Sequence, residues 1–148
     1  MKSGYIILKV EFEDSTNLIT AWAKLRGYKV FGKWEEDAFY DKDKEIVYSL
    51  RTKEKKNQMY SLLHECGHAL AYESEGYKNN FPNLATIRFK TGKVSRRRNV
   101  VKCETIAEEW DAWKRGFNLS RRLDININRE DYFDYASRYV MTYVRKIT

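Results

Sequence analysis

Apolar residues alternate with polar ones in some stretches of the chain and recur three or four positions apart in others, which separates strands from helices. Residues 5–12 alternate loosely and are rich in Ile, Val and aromatic types, so they predict a first strand. A helix is expected next, capped within residues 14–16 and ended by Gly27. Its apolar positions recur at helical spacing: Leu18, Ile19, Trp22 and Leu25.

Four further strands and three further helices are predicted beyond Gly27. The strands cover residues 28–34, 38–40, 45–50 and, as a short edge strand, 85–89, with a polar turn at 41–44. The helices cover residues 55–72, 105–123 and 129–145. No internal repeat or low-complexity tract interrupts this order. The pattern therefore predicts one α+β domain, residues 1–148, with a small mixed sheet packed on helix 55–72 and with C-terminal helices.

Composition changes this picture little but excludes several classes of protein. The chain has 148 residues, of which 43% are hydrophobic, and this is enough for a packed core without disulfides. Cys66 and Cys103 are too few for a disulfide framework, and free thiols suit a reducing compartment. No apolar stretch is long enough to span a membrane, and the N-terminus has no signal-peptide core. We therefore expect a cytoplasmic protein with no membrane partner.

The net charge of +7 adds one candidate interaction surface. Basic residues are densest in the segment from Lys90 to Lys102, here called the basic loop: Lys90, Lys93, Arg96, Arg97, Arg98 and Lys102. A solvent-exposed loop is the first interpretation of this segment. Contact with an acidic partner or a nucleic acid is the second, because clustered cations attract phosphates and carboxylates.

Helix 55–72 carries the strongest chemical signal, the pattern His-Glu-x-x-His formed by His64, Glu65 and His68. Residues four apart lie on the same face of a helix, so the only two imidazoles of the chain can share one metal ion. Neutral imidazole suits zinc, and the adjacent Glu65 can act as general base toward a water that the metal activates. A fortuitous match is the alternative, since two histidines at this spacing can also arise by chance.

A helical projection at about 100° per residue gives this helix two faces. His68 lies about 40° from His64, whereas Cys66 lies with the core residues on the opposite side, which predicts a packing role for this cysteine. Glu65 falls at the edge of the histidine face, which fits a base acting on metal-bound water better than a direct ligand. Small residues flank the histidines and leave room for another helix or a substrate: Ser61, Gly67 and Ala71.

A third ligand is needed, because a catalytic zinc site usually has three protein ligands, and without a third histidine it should be a carboxylate. Four acids lie in or just before helix 105–123: Glu104, Glu108, Glu109 and Asp111. Only Glu109 borders the apolar stripe of that helix, next to the small residues Ala112 and Gly116, while the other three fall on the solvated side. Glu108 also fits a capping box that begins at Thr105. We therefore predict Glu109 as the third ligand. The alternatives are that Glu109 is a surface acid, or that the ligand is another acid: Glu108, Glu104 or, with weaker support, Glu73 or Glu75.

The His-Glu-x-x-His helix and the downstream glutamate helix together resemble the zincin metallopeptidases, over about residues 38–116. The arrangement is similar to the gluzincin type and to the small ImmA/IrrE-like metallopeptidases of phages and mobile elements. This resemblance implies a minimal zincin-like domain that hydrolyses proteins or peptides, with zinc on His64, His68 and Glu109 and with Glu65 as base. The chain lacks the Asn-x-Phe-Ala segment and the Leu-Leu-Met-Pro ending of that family, and it has no N-terminal helix-turn-helix signal.

Other functions stay open at this point. A non-catalytic phage or mobile-element protein would bind a host factor or a nucleic acid through the basic loop, and a zinc hydrolase of another class would cleave bonds other than peptide bonds. A peptidase also needs a donor that stabilises the oxyanion. The candidates for this donor are Tyr72, Tyr77, Arg96, Arg97 and Arg98. No sequence pattern identifies the substrate-binding residues.

Overall fold

The computed structural model describes the backbone of residues 2–147 and the side chains of residues 12–147. Its elements follow in the order α1 (Lys2–Leu25), β1 (Lys29–Lys33), β2 (Ala38–Tyr40), β3 (Glu45–Ser49), α2 (Lys55–Glu73), α3 (Tyr77–Asn80), α4 (Pro82–Phe89), α5 (Asn99–Arg122) and α6 (Arg129–Ile147). The expected α+β class is confirmed, with a small mixed sheet against α2 and two long helices at the C-terminal end. Within the described residues, no helix is long and apolar enough to cross a membrane.

The three strands form one sheet in the order β1-β3-β2. Strand β1 runs parallel to β3 and β2 runs antiparallel to it, so that Ile46 of β3 pairs with Val30 on one side and with Phe39 on the other. Ile46 is fully buried because β3 is the central strand and packs on α2. Asp37 immediately precedes the edge strand β2, and its carboxylate accepts a hydrogen bond from Ser61 Oγ of α2 (3.2 Å).

Helices α2 and α5 form the centre of the fold and touch at backbone level. A β-carbon on Gly67 of α2 would overlap the carbonyl group of Ala112 in α5, and a β-carbon on Gly116 of α5 would lie 2.5 Å from the carbonyl oxygen of Leu63 in α2. Glycine is therefore needed at both positions, because any larger residue would force the two backbones apart. Of the small residues predicted beside the histidines, Gly67 thus serves the packing of α2 against α5.

Apolar side chains around this helix pair form the main core. Its largest fully buried members are Trp113, Tyr60, Tyr132, Ile19, Ile46, Met59, Leu62, Leu63 and Leu119. Cys66 is buried among them, as the helical projection predicted. A smaller cluster holds α3 and α4 against the beginning of α5 through Tyr77, Phe81, Leu84, Ala85 and Val101.

Three local predictions were wrong, and most of the others are confirmed. Residues 5–12 are helical within α1, and residues 14–16, expected to cap a helix, lie inside it; Thr16 Oγ1 donates to the carbonyl of Phe12 (2.9 Å), as threonine does in a helix interior. Residues 85–89 belong to α4, which has Pro82 in its first turn. Short apolar runs fit both periods, and here each run continues into a helix. Helix α5 begins at Asn99, so the irregular part of the basic loop is 90–98 and Lys102 is helical.

Candidate metal centre

The motif residues of α2 lie inside the protein. His64, Glu65 and His68 are all buried, and one nitrogen of each histidine lies within 4.8 Å of the other and of a Glu65 carboxylate oxygen. The imidazole centroids are 4.7 Å apart, which follows from the four-residue spacing on one helix face. A buried group of this composition could hold a metal ion.

Glu109 of α5 reaches both histidines. Its Oε2 atom lies 2.7 Å from Nε2 of His64 and 3.0 Å from Nε2 of His68, so both imidazoles present the same nitrogen to one carboxylate oxygen. The contact depends on the close approach of α2 and α5 at Gly67 and Gly116. The structure therefore brings together the three residues that were predicted as ligands.

Glu108 differs from its prediction. It was expected on the solvated side of α5 in a capping box, but it is buried, and the box does not form because α5 begins earlier, at Asn99. Its carboxylate accepts hydrogen bonds from the hydroxyl of Tyr77 and from Nη2 of Arg88 (3.0 Å), and it lies 3.7 Å from Nδ1 of His68. Helix α4 covers this side of α5 and supplies the arginine, which a projection of one helix cannot reveal.

The remaining candidate acids have other partners. Glu104, also expected to be solvated, accepts hydrogen bonds from the backbone N–H groups of Asn83 and Leu84 in the first turn of α4 (2.9 and 3.1 Å). Asp111 pairs with Arg115 one turn away (2.7 Å), and Glu73 accepts hydrogen bonds from Tyr28 and Arg26. Glu75 is exposed. Of the predicted candidates, only Glu109 touches both imidazoles.

Asp37 is a site residue that the sequence analysis missed. Its Oδ2 atom lies 3.0 Å from Nδ1 of His64, the ring nitrogen that faces away from Glu109. A carboxylate on this second nitrogen fixes the tautomer and the orientation of a ligating histidine. Glu65 also approaches this nitrogen, with Oε2 at 3.1 Å. No motif marks Asp37, because it is 27 residues from its partner and precedes an ordinary strand.

Trp113 fixes the plane of the first imidazole. Its ring stacks on His64 with centroids 4.1 Å apart and planes 3° from parallel. Trp113 was predicted only as part of the apolar stripe of α5, and it is almost fully buried. His64 is thus held by Asp37 at one nitrogen and by an aromatic ring across its face.

The buried charges shift one another's pKa values. Burial alone would lower the pKa of His64, but the charges of Glu65 and Glu109 outweigh it and raise that pKa well above its usual value. Burial opposes protonation of His68 too, and Glu109 raises its pKa. Burial would raise the pKa of Glu109, yet His68 and His64 lower it. Burial, followed by the charge of Asp37, raises the pKa of Glu65 to about 7. These shifts favour protonated imidazoles beside an ionised Glu109, and a bound cation would replace the imidazole protons.

A cavity of about 570 Å³ opens onto these residues, which is within the usual range for ligand sites. Of the predicted oxyanion donors, Arg96 lines it, whereas Tyr77 donates to Glu108, and Tyr72 packs among other aromatic rings and does not line it. Helix α6 contributes two tyrosines that the sequence analysis did not consider, Tyr139 and Tyr143. The wall also includes the apolar side chains of Phe39, Leu84, Ile87 and Val140.

Comparison of the chain with models of known protein families, with curated proteins and with solved structures finds no match. The expected relation to zincins therefore stays a prediction, which rests on the site residues of α2 and α5 alone. What this site does has to be inferred from its geometry and its donor chemistry.

Proposed function

We propose that this protein is a zinc-dependent metallopeptidase. The observation that carries the proposal is the convergence of two imidazole Nε2 atoms and one carboxylate oxygen in a buried site beside a cavity. Two histidines and one carboxylate are the ligand set of one class of catalytic zinc site, which keeps a further position for water or substrate. His64, His68 and Glu109 would hold the ion.

The donor chemistry fits zinc better than it fits the common alkaline-earth ions. Calcium and magnesium prefer oxygen ligands, whereas imidazole suits zinc and its transition-metal neighbours. The carboxylate beside Nδ1 of His64 is the outer-shell partner that a ligating imidazole requires. Zinc, when bound, supplies Lewis acidity toward the scissile carbonyl and toward the attacking water.

The chain's own residues divide the remaining work. Glu65 is the general base: its carboxylate takes a proton from the attacking water and returns it to the leaving amine. Tyr143, in the cavity wall, is the donor that would stabilise the oxyanion.

Metal content tests the ligand assignment. After incubation with zinc and removal of free ion, the wild type is expected to retain one zinc per chain by elemental analysis, and Glu109→Ala to retain less than about a tenth as much. Asp111→Ala is the matched control on the same helix, because the carboxylate of Asp111 pairs with Arg115 and does not line the cavity, and this variant should bind zinc normally. A wild type that retains no zinc would exclude the proposal.

Hydrolysis tests the reaction. The zinc-loaded wild type should cut members of a degenerate peptide mixture, followed by mass spectrometry, whereas Glu65→Gln should retain zinc and lose at least about a hundredfold in rate. Equal rates in the two proteins would remove Glu65 from the mechanism. If the zinc-loaded wild type cuts nothing in the mixture, the protein binds zinc without being a peptidase.

A further inference from the structure

Three cations from separate parts of the chain line the cavity at the metal centre. Arg51 follows β3, Arg96 belongs to the basic loop, and Lys146 lies in the last turn of α6. They are 45 or more residues apart in sequence, and the fold brings them to one opening. A charged arrangement of this kind selects the ligands that can enter.

Two of these charges are available to a ligand. The side chains of Arg51 and Arg96 are exposed, and within the described part of the chain neither makes a hydrogen bond or an ion pair with another side chain. Lys146 approaches Glu36 at 3.7 Å, but both side chains are more than half exposed, and such pairs are weak. Arg88 also lines the cavity, yet its guanidinium is already paired with Glu108.

The interior of the cavity is rich in carboxylate groups. Asp37, Glu65, Glu108 and Glu109 line it beside the histidines. A nucleic acid carries a phosphate at every nucleotide and would have to bring phosphates against these carboxylates. A polypeptide can place a neutral peptide bond at the metal centre and keep its acidic side chains farther out. There Arg51 and Arg96 can bind them, because guanidinium groups bind carboxylates well.

The basic surface continues beyond the cavity along the basic loop. A second depression of about 460 Å³ is lined by Lys90, Lys93 and Val94 and shares Ile87 with the cavity. An extended chain leaving the cavity past Ile87 would therefore meet two more cations. Arg51 and Arg96, together with the lysines of this depression, thus offer several contacts to an acidic segment longer than one or two residues.

We propose that the cavity selects an extended polypeptide segment with acidic side chains flanking a neutral central bond, and that Arg51 and Arg96 are its specificity determinants. The inference rests on the proposed peptidase function for the fate of the central bond. It does not rest on that function for the binding preference, which can be measured without cleavage.

The test uses zinc-loaded Glu65→Gln protein and fluorescein-labelled peptides of about twelve residues, long enough to cross the cavity and the adjoining depression. The peptides share an Ala-Leu centre and differ only in their flanks, which are Glu, Gln or Lys. Fluorescence anisotropy should show the Glu peptide binding at least about tenfold more tightly than the Gln peptide, with the preference shrinking between about 0.05 M and about 0.5 M NaCl. When Arg51→Glu or Arg96→Glu is combined with Glu65→Gln, the preference for the Glu peptide over the Gln peptide should be lost. Arg122→Glu, a charge reversal at an exposed residue outside the cavity, should leave it intact.

Each other outcome has a defined meaning. Equal binding of the three peptides, or a preference that Arg122→Glu removes as fully as Arg96→Glu, would overturn the proposal. So would a labelled single-stranded DNA of about the same length that binds more tightly than the Glu peptide and is released by Arg51→Glu and Arg96→Glu. Preference for the Glu peptide without its cleavage by the zinc-loaded wild type would refute the peptidase and support the binding preference. Equal cleavage of all three peptides would support the peptidase and refute the binding preference.

Discussion

A β-carbon on Gly67 would overlap the carbonyl oxygen of Ala112, so the motif helix and the helix of Glu109 meet backbone to backbone. This contact sets the distance between the imidazoles of α2 and the carboxylate of α5. The metal centre thus depends on a backbone contact between two helices, in which none of the proposed ligands takes part.

Gly67→Ala tests that dependence. The methyl group must displace α5, so we expect a loss of about 3 kcal/mol in the free energy of unfolding, measured in urea, together with weaker zinc binding. Gly76→Ala is the control, because its β-carbon would meet only the side-chain nitrogen of Asn80 at 3.3 Å. A difference of less than about 0.5 kcal/mol between the two variants would show that the helices can separate without cost.

Asp37→Asn tests the orientation of His64. An amide cannot hold Nδ1 of the imidazole as a carboxylate does, so we expect the zinc affinity to fall by about 10–100-fold, measured by competition with a chromophoric chelator. Asp43→Asn, in the exposed turn between β2 and β3, should bind zinc as the wild type does. Unchanged affinity in Asp37→Asn would mean that Trp113 and Glu65 are enough to orient the ring.

Zinc affinity should increase with pH. Nearby carboxylates raise the pKa values of His64 and His68 in the folded protein, so protons stay on the imidazoles above the usual histidine value and must leave when zinc binds. The increase should therefore continue above about pH 6.5, where unperturbed histidine is already deprotonated. Chelator competition at pH values from about 6 to about 8.5 measures it. An affinity that is flat above about pH 6.5 would contradict the raised pKa values.

Tyr143→Phe tests the proposed oxyanion donor. Burial, and then the charges of Glu109 and Glu65, raise the pKa of Tyr143 to about 12, so the hydroxyl keeps its proton near neutrality. Removing it should lower kcat by about a hundredfold with zinc content unchanged. Tyr139→Phe is the matched control in the same wall: its hydroxyl is hydrogen-bonded to Tyr135 (3.2 Å), a residue that does not line the cavity, and its effect should be small. Equal effects of both variants would exclude a special role for Tyr143.

The predictions from sequence were most accurate for features that depend on a single helix or strand. The spacing of His64 and His68, the burial of Cys66 and the position of Glu109 beside an apolar stripe are all properties of single helices, and the structure agrees with each geometric expectation. Periodicity also located β1 to β3 and the helices α2, α5 and α6, with α5 longer at its start than expected.

Features that need two elements were missed. Glu108 was expected in solvent because its own helix turns it away from the stripe, but α4 covers it and supplies Arg88. Asp37 reaches His64 only because β2 lies at the edge of the sheet beside α2. The run at 5–12 was missed for a different reason: it fits a strand by composition, although it belongs to the single helix α1.

The side chains of the site are satisfied by one another. Glu109 contacts both imidazoles, Asp37 contacts His64, and no buried side-chain nitrogen or oxygen in the described part of the chain lacks a hydrogen-bond partner. Under the proposed function, a zinc ion would have to break the hydrogen bonds between Glu109 and the imidazoles in order to bind. Its affinity would then be lower than that of a site with the same ligands and no bonds among them.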